Sequence, residues 1–158
     1  MNNRSHDKSW TQAFADALCS GSVASVVTTL VLAVCGVCER AGAPGPLNGP
    51  SQWIWGRHAA YRRGFSGRYT VAGYAIHHAM SILWATLFEK FRRRTDSRKA
   101  VVFADAAATA ALACAIDFRV VPDRLSPGFQ KQLSRTSLLL VYAAFSLSLA
   151  AAALAARK

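Results

Sequence analysis

Three long stretches of this sequence contain no charged residue, no asparagine and no glutamine: Ala17–Cys38 with twenty-two residues, Tyr69–Phe88 with twenty and Thr136–Ala156 with twenty-one. That absence argues against a soluble helical bundle, whose outer faces carry charged or amide side chains every three or four positions. Acidic residues are scarce throughout. Eight Asp and Glu stand against nineteen Lys and Arg, a formal net charge of +11 in 158 residues. The basic residues flank the apolar stretches and do not stripe one face, which points to membrane electrostatics and away from nucleic-acid binding. Signatures of common enzyme chemistry are missing too: there is no phosphate loop, nucleophile elbow or metalloprotease helix.

What is present is length and apolarity. A helix crossing ~30 Å of hydrocarbon at ~1.5 Å per residue needs roughly 20 residues. The three stretches satisfy this, and a fourth, alanine-rich one over 100–117 is interrupted by Asp105. The expected fold is all-α: one integral membrane domain of four transmembrane helices over about 17–38, 69–88, 100–117 and 136–156. The first stretch exceeds the ~7–15 apolar residues of a signal-peptide core, and the small-residue site at Ala41-Gly42-Ala43 is followed by Pro44, so it reads as a retained span.

Six Lys and Arg lie between Lys90 and Lys99. The positive-inside rule puts so dense a short loop, 89–99, in the cytoplasm, with both termini beside it and loops 39–68 and 118–135 outside. A bacterial inner membrane is the expected location. In the first outer loop Pro44, Pro46 and Pro50 speak against a regular helix. Beyond them Trp53 and Trp55 interleave with Arg57, Arg62, Arg63 and Arg68, the pattern of an interfacial helix lying flat and contacting anionic lipid headgroups. A lid over the bundle is the functional alternative. In the second outer loop Asp117, Arg119, Asp123 and Arg124 suggest surface ion pairs.

Small residues recur every fourth position at Gly21 and Ser25, at Ala107, Ala111 and Ala115, and at Ala144, Ser148, Ala152 and Ala156. Such faces let helix backbones approach closely in lipid, in a self-contained bundle or against another membrane protein.

His77 and His78 stand in the middle of the second stretch, pointing about 100° apart around a helix. Only one can aim at the bundle core. The simplest role is a neutral histidine bonded to a helix backbone, to Ser81 or to Thr86. A sharper reading pairs a histidine with Asp105 for proton-coupled transport or pH sensing. The helix midpoints put Asp105 ~9 Å from His77 along the membrane normal, so that pair needs a water, a tilt or a register shift. A haem ligand is a third reading, but His6 and His58 lie outside the spans, so a second axial ligand would come from another chain.

Cys35-Gly36-Val37-Cys38 closes the first span at its outer edge, where CxxC spacing suits a redox pair. The placement is similar to that in four-helix thiol-oxidising membrane proteins of the quinone-linked type. Those proteins pass oxidising equivalents to a second cysteine pair, whereas Cys19 and Cys114 here fall near opposite ends of their spans.

Taken together, "PLNGPSQWIWG", "GYAIHHAMSILWATLFE", "DFRVVPDRLSPGFQKQLS" and "VYAAFSLSLA" resemble stretches of a group of short bacterial four-span inner-membrane proteins with no established activity, over most of Pro46–Ala150. The resemblance implies the architecture and no chemistry. The expectation is a non-enzymatic accessory or structural membrane protein without cofactor or metal, acting through helix packing and anionic lipid, with a membrane-protein partner or a second copy of itself. The alternatives are the proton-linked protein using His77, His78 and Asp105, and a redox or haem-bearing subunit.

Overall fold

The computed structural model describes residues 8–92 and 98–156. Arg93 and Arg94 of the basic loop, His6, and the basic residues at the two chain ends lie outside the described residues. Everything described is helix, turn or irregular segment, with no strand. Four helices are long and apolar enough to cross a membrane: α1 (Trp10–Cys38), α4 (Ala72–Phe91), α5 (Lys99–Ala115) and α6 (Arg135–Ala155). Wide π-type turns lengthen two of them, Gly67–Val71 leading into α4 and Ile116–Val120 continuing α5. Two short helices, α2 (Pro44–Asn48) and α3 (Gln52–Trp55), lie between α1 and α4.

α1 begins earlier than the apolar pattern suggests. Ser9 Oγ accepts from the Gln12 amide and Gln12 Oε1 accepts from the Ser9 amide, both at 3.2 Å, a reciprocal cap that starts the helix at Trp10. Asp105 does not interrupt α5, which runs through it unbroken. The prolines of the first outer loop also act otherwise than expected. Pro44 takes the first position of α2, where a missing N–H costs nothing. The segment then proceeds through short helical turns to Tyr61. One side of it packs into the molecule, where Asn48, Ser51, Gln52, Ala59 and Ala60 are buried.

The long helices run alternately up and down. Lys8 meets Glu89 and Thr28 meets His77 across α1 and α4, while Glu39 meets Ser134 across α1 and α6. Around the bundle the order is α4–α1–α6–α5, and the ring closes only loosely where α5 returns to α4. One core of small and large apolar residues, among them Ala17, Ala24, Trp84, Phe88, Ala106, Ala110 and Leu149, fills the half near the chain ends. A second core of Leu32, Cys35, Phe129, Leu133 and Val141 joins the opposite half to the second outer loop. Large apolar side chains such as Leu30, Val34, Leu139 and Leu147 point outward and are more than half exposed. So apolar an outer surface is the reverse of a soluble bundle and suits helices packed in lipid.

The packed small-residue faces differ in part from those expected. Gly21 and Ser25 are buried as expected, and a Cβ on Gly21 would sit 2.7 Å from Ile82 Cα. On α5, however, Ala106, Ala110 and Ala113 are buried while Ala107, Ala111 and Ala115 face outward. On α6 Ser148 is buried and Ala156 is exposed.

The chain-end half is stapled by charge. Lys8, Glu89 and Arg92 are all buried; Lys8 Nζ lies 3.1 Å from Glu89 and also bonds Asp16, and Arg92 Nε lies 2.9 Å from Glu89. Buried charges are tolerated only when paired in this way.

Among the described glycines the least room for a side chain is at Gly73 on α4, where a Cβ would fall 2.0 Å from the carbonyl oxygen of Leu47. Backbone cannot move aside as a flexible side chain can. In Gly73→Ala the overpacking penalty of ~1–3 kcal/mol should therefore outweigh the ~1 kcal/mol gained in helix propensity. Thermal unfolding in detergent should show a lowered midpoint, whereas Gly64→Ala, with open space around it, should leave the midpoint unchanged.

Candidate functional site

Loops 39–68 and 118–135 fold onto each other as a cap; two buried or half-buried amides, Gln52 and Gln132, join them, and a third, Asn48, ties the first loop to itself. Asn48 Nδ2 donates to the carbonyls of Arg62 and Gly64 at 2.8 and 3.0 Å, and its Oδ1 accepts from Thr70 at 2.7 Å. Gln52 reaches into the other loop, donating to the carbonyls of Asp123 and Ser126 at 3.0 and 2.8 Å and accepting from Lys131 at 3.1 Å. Gln132 reaches back, donating to the carbonyls of Gly45 and Ala60 at 3.0 and 2.7 Å. An amide side chain satisfies donors and acceptors together, so it can be buried among loop carbonyls with no net charge.

Close backbone contact makes this possible. A Cβ on Gly49 would lie 2.5 Å from the Phe129 amide nitrogen, and one on Gly128, where φ is +81°, would lie 2.4 Å from the Gly49 carbonyl oxygen. Glu39 completes the attachment by accepting from the Ser134 amide and hydroxyl, both at 2.7 Å, and from the Ser137 hydroxyl. It thereby places a negative charge at the N-terminus of α6, where the helix dipole favours one.

Beneath the cap lies a pocket of about 570 Å³, counting its open mouth. Pro50, Trp53, Pro127 and Phe129 roof it, and Ile76, Met80, Trp84, Val141 and Phe145 form apolar walls. Its polar groups come as two pairs. His77 Nε2 lies 2.9 Å from Thr28 Oγ1, and the Tyr142 hydroxyl donates to Asp117 Oδ2 at 2.5 Å. The Thr28 hydroxyl has one proton, which it directs at the Ala24 and Ser25 carbonyls at 2.7 and 3.1 Å. Thr28 can thus accept from an Nε2–H of His77 while its own proton stays with the backbone.

The structure sorts the sequence candidates. His77 faces the pocket, as one of two consecutive histidines should, while His78 turns away and stacks on Tyr74 with ring centroids 5.8 Å apart. The expected partners of the histidine were backbone, Ser81 or Thr86. Ser81 and Thr86 are not used, since Ser81 donates to the His77 carbonyl and Thr86 to that of Ile82; the imidazole crosses to α1, to the Thr28 hydroxyl and the Ser25 backbone. Asp105 lines a separate groove between α4 and α5 with Phe91, Arg92 and Leu112. The carboxylate that shares the pocket with His77 is Asp117, which the sequence placed among surface ion pairs. Its one legible signal is position, at the cap-end edge of an apolar stretch.

Trp53 roofs the pocket, its indole N–H bonded to the Ser126 carbonyl at 3.1 Å. Arg57 pairs with Asp123 at 3.0 Å, and Arg68 stacks on Trp55. Arg62 and Arg63 are exposed. Cys35 and Cys38 are free thiols in different surroundings, Cys35 buried against Phe129 and Leu133 and Cys38 exposed. His58 lies outside the spans and packs edge-on against Tyr69. Among the described residues no three His, Cys, Asp or Glu side chains gather as a metal site.

Comparison with protein-family models, with curated proteins and with solved structures finds no match to the chain.

Two carboxylates outside the spans are held below the ordinary range, Glu39 by the hydroxyls of Ser137 and Ser134, and Asp123 by the hydrogen bond from Lys131. A carboxyl lowered on folding stabilises the fold fully above its unfolded value, 4.5 for Glu39, and the contribution disappears as pH falls through the lower folded value. Cap attachment should therefore be constant from neutral pH down to about that value and then weaken with acid. Hydrogen exchange at the first amides of α6 should speed up in acid, and in Glu39→Gln it should be fast already at neutral pH with a flatter acid dependence.

Proposed function

We propose that this chain is a small, non-enzymatic multi-pass membrane protein whose capped pocket holds an amphipathic molecule drawn from the bilayer, in an accessory role. The observation that carries the reading is the pocket itself: apolar walls, two polar pairs, and a position where α4 and α5 leave the ring loosely closed. Apolar walls with few polar groups suit an apolar body carrying one orienting oxygen. A charged ligand fits badly, since the imidazole, hydroxyls and carboxylate are already paired with one another and a buried extra charge would go uncompensated.

The membrane setting is supported by the four apolar helices and their outward large side chains. Basic residues concentrated at the chain-end half, including Lys90, Arg92, Arg98 and Lys99, support a cytoplasmic placement of that half and an outward cap. The bacterial inner membrane follows from the resemblance of the sequence stretches.

A second reading has one observation in its favour: a titratable imidazole and a carboxylate line the same pocket, with Asp117 in the place expected of Asp105. Proton-linked binding or sensing would then use His77 and Asp117. Proton uptake by the purified protein between about pH 5 and 8, lost in His77→Gln, is the outcome that reading requires.

For the first reading, protein extracted gently from native membranes should carry an amphiphile at near-stoichiometric amount by native mass spectrometry. Met80→Phe, which narrows the pocket, should lower its retention several-fold with the thermal midpoint unchanged. Protein that is consistently empty, while still folded, would sink the proposal. Tyr142→Phe should cost ~1–3 kcal/mol in stability by leaving Asp117 without its donor.

A further inference from the structure

The guanidinium groups of Arg62 and Arg68 both stand over one aromatic ring, that of Tyr69, with their central carbons 5.6 and 5.7 Å from its centroid. Arg68 also lies 3.9 Å over the ring of Trp55. The backbone beneath both arginines is fixed. The Arg62 carbonyl accepts from Asn48 at 2.8 Å and from Gln132, and the Arg68 carbonyl accepts from the Trp55 indole at 3.2 Å. Arginines so plated against aromatic rings have lost much of their rotamer freedom before any ligand arrives.

They also differ from the other cations of the cap. Arg57 and Lys131 both pair with Asp123, at 3.0 and 2.9 Å, whereas neither Arg62 nor Arg68 has a carboxylate partner among the described residues. Two exposed, preorganised guanidiniums without counter-charge form an electropositive locus, and guanidinium geometry matches phosphate oxygens. The locus stands at the start of α4, just past the apolar part of the span, and Phe65 beside it is 75% exposed. That is the depth at which a bilayer presents phosphate, and at which aromatic side chains settle.

We propose that Arg62 and Arg68, set by Tyr69 and Trp55, form a binding site for the phosphate of an anionic phospholipid headgroup. The site is separate from the capped pocket and rests on the membrane reading of the chain, not on the pocket's ligand.

Trp55 reports on it directly, because its ring carries the Arg68 guanidinium. The full chain is placed in nanodiscs of zwitterionic phosphatidylcholine, and phosphatidylglycerol is raised stepwise. Trp55 emission is obtained as the difference from Trp55→Phe. Saturable change with phosphatidylglycerol, with the midpoint moved at least tenfold in each of the single variants Arg62→Gln and Arg68→Gln, supports the site. Arg124→Gln removes the same unit of charge from the other outer loop and should leave the midpoint in place. An equal shift in Arg124→Gln would overturn the site in favour of diffuse charge attraction. A response to inorganic phosphate in pure phosphatidylcholine discs as large as that to phosphatidylglycerol would overturn the lipid as its source. Incorporation into the discs, scored first by helical circular dichroism, tests the membrane reading separately.

Discussion

Backbone-to-backbone contact between Gly49 and Gly128 sets how deeply loop 39–68 can sit on loop 118–135, and the cap end is organised around it. With any side chain at either position, the loops would stand off by the width of a methyl group or more. Gln52 would then no longer reach the Asp123 and Ser126 carbonyls, nor Gln132 those of Gly45 and Ala60. Those bonds give Trp53 and Phe129 their places in the roof. Each buried amide left unpaired costs ~1–3 kcal/mol, so the arrangement is held as a set and not contact by contact.

The two ends of the bundle solve one problem with different chemistry. The chain-end half buries full charges, and Lys8, Glu89 and Arg92 neutralise one another across α1 and α4. The cap end buries neutral amides and keeps its ion pairs, such as Arg57 with Asp123, at the surface. A buried pair needs tight geometry to offset desolvation, which suits the ends of long rigid helices. Loop carbonyls point in many directions, and an amide with two donors and an acceptor can satisfy several of them at once.

Much of this organisation was legible in the sequence, and the rest depends on distance along the chain. The four long helices follow from local composition, and even the early start of α1 was readable in the Ser9 and Gln12 spacing, although the charge of Asp16 hid it from a search for uncharged windows. The packed face of α5 was not readable. Ala106, Ala107 and Ala108 are chemically identical, so no periodicity tells which one faces inward. Asn48, Gln52 and Gln132 look like ordinary solvated loop residues, because their burial exists only once two loops some seventy residues apart have met. The same holds for the site. The orientation of His77 and His78 followed from helix geometry, but the choice of Thr28 over Ser81, and of Asp117 over Asp105, required the relative height of the helices.

That height is set by small residues on one side of α4 and large ones on the other. Against α1, Gly21 lets the Ile82 backbone approach so closely that no Cβ would fit. Towards α5, α4 presents Trp84 and Phe88, whose bulk keeps the two helices from the same intimacy. Trp84 lines both the capped pocket and the groove that contains Asp105. A single indole midway along the seam thus acts as spacer and partition. It holds the helices apart enough for space to remain on either side, and it separates the His77–Asp117 pocket from the Asp105 groove. Tight packing on one face of α4 is therefore what leaves room on the other. In lipid such room need not collapse, because the solvent outside is as apolar as the walls and water gains nothing by being expelled.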